Sequence, residues 1–150
     1  MNYENPKYNK HGTIDCILDH PKLGKIPFTA DPNDPERLGR EVYSAIVKND
    51  DALPYTEEER QADLEADLKS ERERMLLTKY QMVKSLKHHT LYDRVKTAMG
   101  NNPDSDGALA YETSPDFKRI GVFSQFIQQQ LNLTDEELDN IFIKGGEFIG

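Results

Sequence analysis

The sequence predicts an α+β fold that is mostly α. Three observations lead there. A short β-favouring segment carries Ile14, Cys16 and Leu18 on one face and is followed by turn residues and a second such segment. From Glu57 to Met99 there is neither Gly nor Pro, which favours helix over a long stretch. The last third repeats apolar residues at helical spacing behind capping residues. The chain therefore reads as three parts: a ββα docking module over residues 1–54, a long charged helix or arm over 55–89, and a small helical bundle over 90–150.

In the first part, Thr13 to Leu18 forms one strand and Lys25 to Ala30 the next, joined by a five-residue loop, His20-Pro21-Lys22-Leu23-Gly24. Pro27 cannot donate to a ladder, so the second strand should be an edge. A lone hairpin is marginal in water. The following helix gives it a partner: Asn33 or Asp34 can cap it, Pro35 fits its first turn, and Leu38, Val42, Ala45 and Ile46 share a face. Ala52-Leu53-Pro54-Tyr55 reads as a linker open to proteolysis.

Thr56-Glu57-Glu58-Glu59 is a capping box that opens the arm, which should run to about Lys87 and span about 45 Å. Its first half is nearly all charge, with i,i+4 and i,i+3 pairs such as Glu65–Lys69 and Glu71–Arg74. Its second half gathers Met75, Leu76, Met82, Val83 and Leu86 on one face. Leu68, Met75 and Met82 keep a seven-residue period, but the companions Glu71, Thr78 and Ser85 are polar. A solvated arm is favoured over a partner-helix seam, and both readings stay open. Leu64, Leu68 and Met75 on the arm, with Ile26 and Phe28 on the second strand, are the candidate partner-binding residues.

In the bundle, Leu91, Val95, Ala98 and Met99 should face inward on a helix ended by Gly100. Ala108 to Thr113 reads as one helical turn. Ser114-Pro115 reads as the start of a central helix carrying Phe117, Ile120, Phe123, Phe126, Ile127 and Leu131. A second capping box, Thr134 to Glu137, opens a short helix with Leu138, Ile141 and Phe142, broken at Lys144-Gly145-Gly146.

The chain of 150 residues holds 19 basic and 27 acidic groups, a net charge of −8. Residues 90–150 carry 10 of the acidic and only 5 of the basic ones. Such a balance argues against general binding of nucleic acid or of an anionic membrane. No apolar run approaches the roughly 20 residues of a membrane helix. The N-terminal residues lack the basic-then-apolar pattern of a secretory signal. The lone Cys16 forms no internal disulfide, and a reducing compartment is expected.

Three constellations have the residue types of a site. Asn102-Pro103-Asp104-Ser105-Asp106-Gly107 matches the first six positions of a calcium loop, but Thr113 stands where the bidentate Glu belongs, so a plain turn is expected. His11, Cys16 and His20 surround the hairpin, but Cys16 shares the apolar face and reads as core rather than zinc ligand. His88 and His89 fit a helix end better than a ligand pair. No phosphate loop, nucleophile elbow or metalloprotease motif is present, so a non-enzymatic protein without cofactor is expected.

Two stretches resemble small proteins of bacteriophage tail-gene clusters. The first runs through Asn5-Pro6-Lys7-Tyr8-Asn9, Gly12-Thr13-Ile14-Asp15-Cys16, His20-Pro21, Gly24, Ile26-Pro27-Phe28-Thr29-Ala30 and Gly39-Arg40-Glu41-Val42-Tyr43. The second, less specific, covers Ser114-Pro115 through Leu131-Asn132-Leu133-Thr134 to Phe142. The resemblance implies a tail-associated protein, either a minor virion component or a tail-fibre assembly factor. Its partners would be other tail or fibre proteins or further copies of itself. It would be made in the host cytoplasm and reside in the virion. The alternative is an acidic host-interaction protein that mimics DNA to block a defence enzyme.

Overall fold

The computed structural model describes residues 2–149, and the fold is α+β, mostly α. The chain divides into two compact units, 1–65 and 66–150. The boundary lies ten residues beyond Tyr55, the end of the linker expected from sequence.

The first unit contains a three-stranded antiparallel sheet, β1 (Tyr3–Tyr8), β2 (Ile14–His20) and β3 (Gly24–Ala30), in the order β1-β2-β3. The β2–β3 hairpin is as expected but one residue tighter at each end, because His20 pairs with Gly24. Gly24 takes φ +70, which closes the turn. Pro27 lies opposite Ile17 on the edge strand. Helix α1 (Arg37–Asn49) covers the face of Ile14, Cys16, Leu18 and Ala30 with Val42 and Ile46. No side chain caps α1: Asp34 Oδ1 instead accepts from the Glu36 amide in the turn before it.

Strand β1 is the element that the alternation did not show. Pro6 interrupts the pattern, and the strand absorbs it as an irregularity between Glu4 and Lys7, with Asn5 at φ +52. The expected linker is not free either. The Leu53 amide donates to the Pro6 carbonyl and the Tyr8 amide to the Leu53 carbonyl, so this segment is pinned to β1.

The helix expected from Glu57 to Lys87 is two helices. α2 (Glu57–Arg74) stops, β4 (Leu76–Thr78) follows, and α3 (Lys79–His88) restarts. The break costs no backbone bonding, because the main chain finds partners across a ladder with β5 (Asp116–Lys118). The Arg119 amide donates to the Met75 carbonyl and the Lys79 amide to the Pro115 carbonyl. Thr78 and Gln81 then form a capping box that opens α3. The same ladder overturns the helix expected at Ser114-Pro115. Phe117 and Arg119 point inward while Ile120 is nearly half exposed, which is the two-residue period of a strand.

The rest of the second unit is helical: α4 (Tyr92–Asn101), α5 (Asp106–Thr113), α6 (Val122–Leu131) and α7 (Asp135–Gly146). Leu77, Met82, Leu86, Val95, Phe117, Phe123, Ile127, Leu138 and Ile141 are among the residues of its core. Gly100 lies inside α4, whose cap is Asn102, and does not end that helix. Gly145 does not break α7. It lets the helix approach Leu77 so closely that a Cβ there would fall 2.3 Å from Leu77 Cδ1. The capping box at α7 forms as expected, with Thr134 accepting from the Glu137 amide at 3.1 Å and Glu137 accepting from the Thr134 amide at 2.8 Å. Thr134→Ala should therefore lower stability by about 1 kcal/mol. Urea unfolding followed by circular dichroism would read this as a lower midpoint with an unchanged slope.

Candidate functional site

Helix α2 has the composition of a surface element on every side, and the structure agrees: it contains no buried residue. Its start is fixed locally. Thr56 Oγ1 accepts from the Glu59 amide, and Glu59 accepts from the Thr56 amide and from Lys7 Nζ. These bonds hold the Glu59 carboxyl below its ordinary range, Lys7 contributing most. Tyr55 donates to Asp63 Oδ2 at 2.7 Å, which pushes the phenol up to about 12. Arg60 pairs with Glu57 one turn back. Against this polar surround two apolar side chains stand out: Leu64 is 46% exposed and Leu68 is 48% exposed.

The other three candidates are placed differently. Met75 packs against the core of the second unit. Ile26 and Phe28 pack against the core of the first, on the sheet face that α1 covers. They share that face with Ala30 because alternate residues of a strand do so. These three side chains therefore serve the cores of their own units, and the exposed partner-binding candidates reduce to Leu64 and Leu68.

A charged cluster that sequence reasoning missed lies in the second unit. Arg119, whose side chain is 5% exposed, donates from Nε to Asp139 Oδ1 at 2.6 Å and from its terminal nitrogen to Asp135 Oδ1 at 2.9 Å. Arg72, in the last turn of α2, donates to both oxygens of Asp139 at 2.7–3.2 Å. Gln128 donates to Asp135 at 2.9 Å. Gln128 and then Arg119 hold the Asp135 carboxyl below its usual range. The Asp139 side chain is only 16% exposed. No spacing announces this cluster, since its members come from three separated segments. Each carboxylate has its cation, so the arrangement reads as a clamp holding the end of α2 to α7.

The remaining sequence candidates are also accounted for. Cys16 is buried in the core of the first unit, and burial pushes its thiol up. His11 is exposed, and His20 Nδ1 accepts from the Lys22 amide. Asn102 donates to the Ala98 carbonyl, and Ser105 caps α5. Gly107, which a calcium loop would place at its sharp turn, lies within α5 against Phe126. Among the described residues no three His, Cys, Asp or Glu side chains converge as a metal site, and no helix is long and apolar enough to cross a membrane. Comparison with protein-family models, curated proteins and solved structures gives no match for this chain.

Proposed function

We propose that this chain is a non-enzymatic bacteriophage tail-associated protein, a minor virion component or tail-fibre assembly factor, that acts by protein–protein interaction. The phage assignment rests on the tail-cluster residues quoted above from Asn5 to Tyr43. The interaction mode rests on one structural observation: α2 buries none of its own residues while carrying Leu64 and Leu68 nearly half exposed among charges. Four residues apart on a helix, the two side chains share a face. Each leucine is already about half covered, so a partner that buried the rest would gain about 1 kcal/mol for it, roughly half the full-burial value. The partners proposed are other tail or fibre proteins, with a further copy of the chain as the simplest alternative. The protein would be made in the host cytoplasm and reside in the virion.

The test is the double substitution Leu64→Asp, Leu68→Asp. Both positions are exposed, so folding should change little, by about 0.5 kcal/mol or less per site. Assembly of infectious tails should fall steeply. Normal tail yield with a folded variant would show that α2 takes no part in binding and would overturn the interaction mode.

A further inference from the structure

The β4–β5 ladder has two faces, and the chain covers one of them. Leu77 and Phe117, paired across the ladder, point into the core of the second unit. The pleat turns their neighbours the other way. Leu76 therefore lies beside Lys118, and Thr78 beside Asp116, on an outer face where all four are exposed. Ile120 continues that side, because the Arg119 amide still bonds the Met75 carbonyl and the Arg119 side chain is buried. Leu76 is 52% exposed and Ile120 is 47% exposed.

The charges on this face are unmatched within the chain. Asp116 and Lys118 stand two positions apart on one strand, about 6.6 Å along it. Among the described residues neither side chain has a hydrogen-bond or ion-pair partner. Thr78, by contrast, is occupied in the cap with Gln81. The face thus carries one anion, one cation and two half-covered apolar side chains. Such a pattern is complementary to itself. A two-fold axis makes residue i of one copy meet residue j of the other while j meets i. With the axis between Asp116 and Lys118, each carboxylate meets the other copy's ammonium, and both charges are matched at once. A stacking that set identical residues opposite each other would place Lys118 on Lys118 and repel. A partner surface of one charge sign would cover either Asp116 or Lys118 without a counter-charge, which is costly.

We propose that the outer face of the β4–β5 ladder is a self-association surface, on which a second copy of the chain docks about a two-fold axis. Leu76 and Ile120 are covered in the pair, and Asp116 and Lys118 bond reciprocally. The contact goes beyond the reading of α2 and uses neither Leu64 nor Leu68. The face is small, so the pair is weak and reversible and forms where copies are concentrated.

The experiment is sedimentation equilibrium of the full chain up to about 1 mM, well above micromolar dissociation constants. The wild type should pass from monomer to dimer as concentration rises. Asp116→Lys and Lys118→Asp each give the face a single sign and should weaken the dimer by about tenfold or more. An equimolar mixture of these two variants should dimerise at least as well as the wild type, since one offers two cations and the other two anions. The double variant Asp116→Lys, Lys118→Asp should recover the dimer. Circular dichroism checks that each variant is folded. Should a charge variant fail to fold, Ile120→Asp decides, and it should weaken the dimer too. Leu64→Asp, Leu68→Asp should leave the dimer unchanged. A wild type that stays monomeric throughout, or folded single variants that dimerise like the wild type, overturns the surface. So does a mixture that stays monomeric. Loss of the dimer in the Leu64→Asp, Leu68→Asp variant alone would move self-association to α2, overturning this surface while leaving the reading of α2 intact.

Discussion

Gly107→Ala should destabilise the second unit by about 2–3 kcal/mol, although the same change at an ordinary helix position stabilises by roughly 1 kcal/mol. The reason is contact. Gly107 lies in the first turn of α5, buried against α6, and a Cβ there would fall 2.2 Å from both Cβ and Cγ of Phe126. Those atoms sit close to the α6 backbone and cannot swing aside as the tip of a long side chain does. The two helices must part, or Phe126 must leave its rotamer, and either costs more than the propensity gain. Gly100→Ala is the matched control, since that residue is exposed in α4 with nothing within 4 Å of its would-be Cβ. It should raise the melting temperature while Gly107→Ala lowers it by about 10 °C or more. Scanning calorimetry of the two variants reads the opposite signs directly. Equal signs would mean that α5 and α6 do not meet at Gly107.

Arg119→Met should cost about 3 kcal/mol, the lower part of the range for removing one partner of a buried pair. The methionine keeps most of the apolar stem but removes three bonds, to Asp139 Oδ1, to Asp135 Oδ1 and to the Asp135 carbonyl. Asp139 keeps Arg72, which prevents a larger loss. Arg119→Lys should recover little, because an ammonium cannot span both carboxylates as the planar guanidinium does. Arg60→Met, removing the exposed pair with Glu57, should cost far less than Arg119→Met, because solvent screens that pair. Chemical denaturation of the three variants gives the ranking. The acid limb should shift as well. Asp135 is held low in the folded state, so its contribution is full above an unfolded value of about 3.9 and is lost as pH falls below it. Arg119→Met removes one cause of that depression, so it should flatten this part of the stability–pH curve.

What the sequence made legible follows from the range of the interactions. The β2–β3 hairpin, α1 and the α7 capping box rest on residues no more than 16 positions apart, and they were readable from alternation, helical spacing and cap chemistry. The β4–β5 ladder joins Leu76 to Lys118, and no local pattern in an uninterrupted helical run announces such a pairing. One local signal was present: Thr78 and Gln81 have the capping-box spacing and mark where α3 restarts. Strand β1 was hidden because Pro6 breaks its alternation. Of the partner-binding candidates, Leu64 and Leu68 could be chosen as apolar residues in a charged helix. Met75, Ile26 and Phe28 are equally apolar, and only the packing reveals that each faces a core. The buried Arg119 pairs were invisible for the same reason as the ladder.

The central claim is that the chain works by binding tail or fibre proteins through α2. The most direct measurement is affinity capture of the tagged full chain from phage-infected cells, with bound proteins identified and quantified beside the Leu64→Asp, Leu68→Asp variant. The account predicts tail or fibre proteins in fixed ratio to the chain, lost from the folded variant. Recovery of a host DNA-processing enzyme in their place, released steeply by salt, would contradict it and favour the acidic-mimic alternative. Capture of the same tail proteins by the variant would contradict the role given to α2.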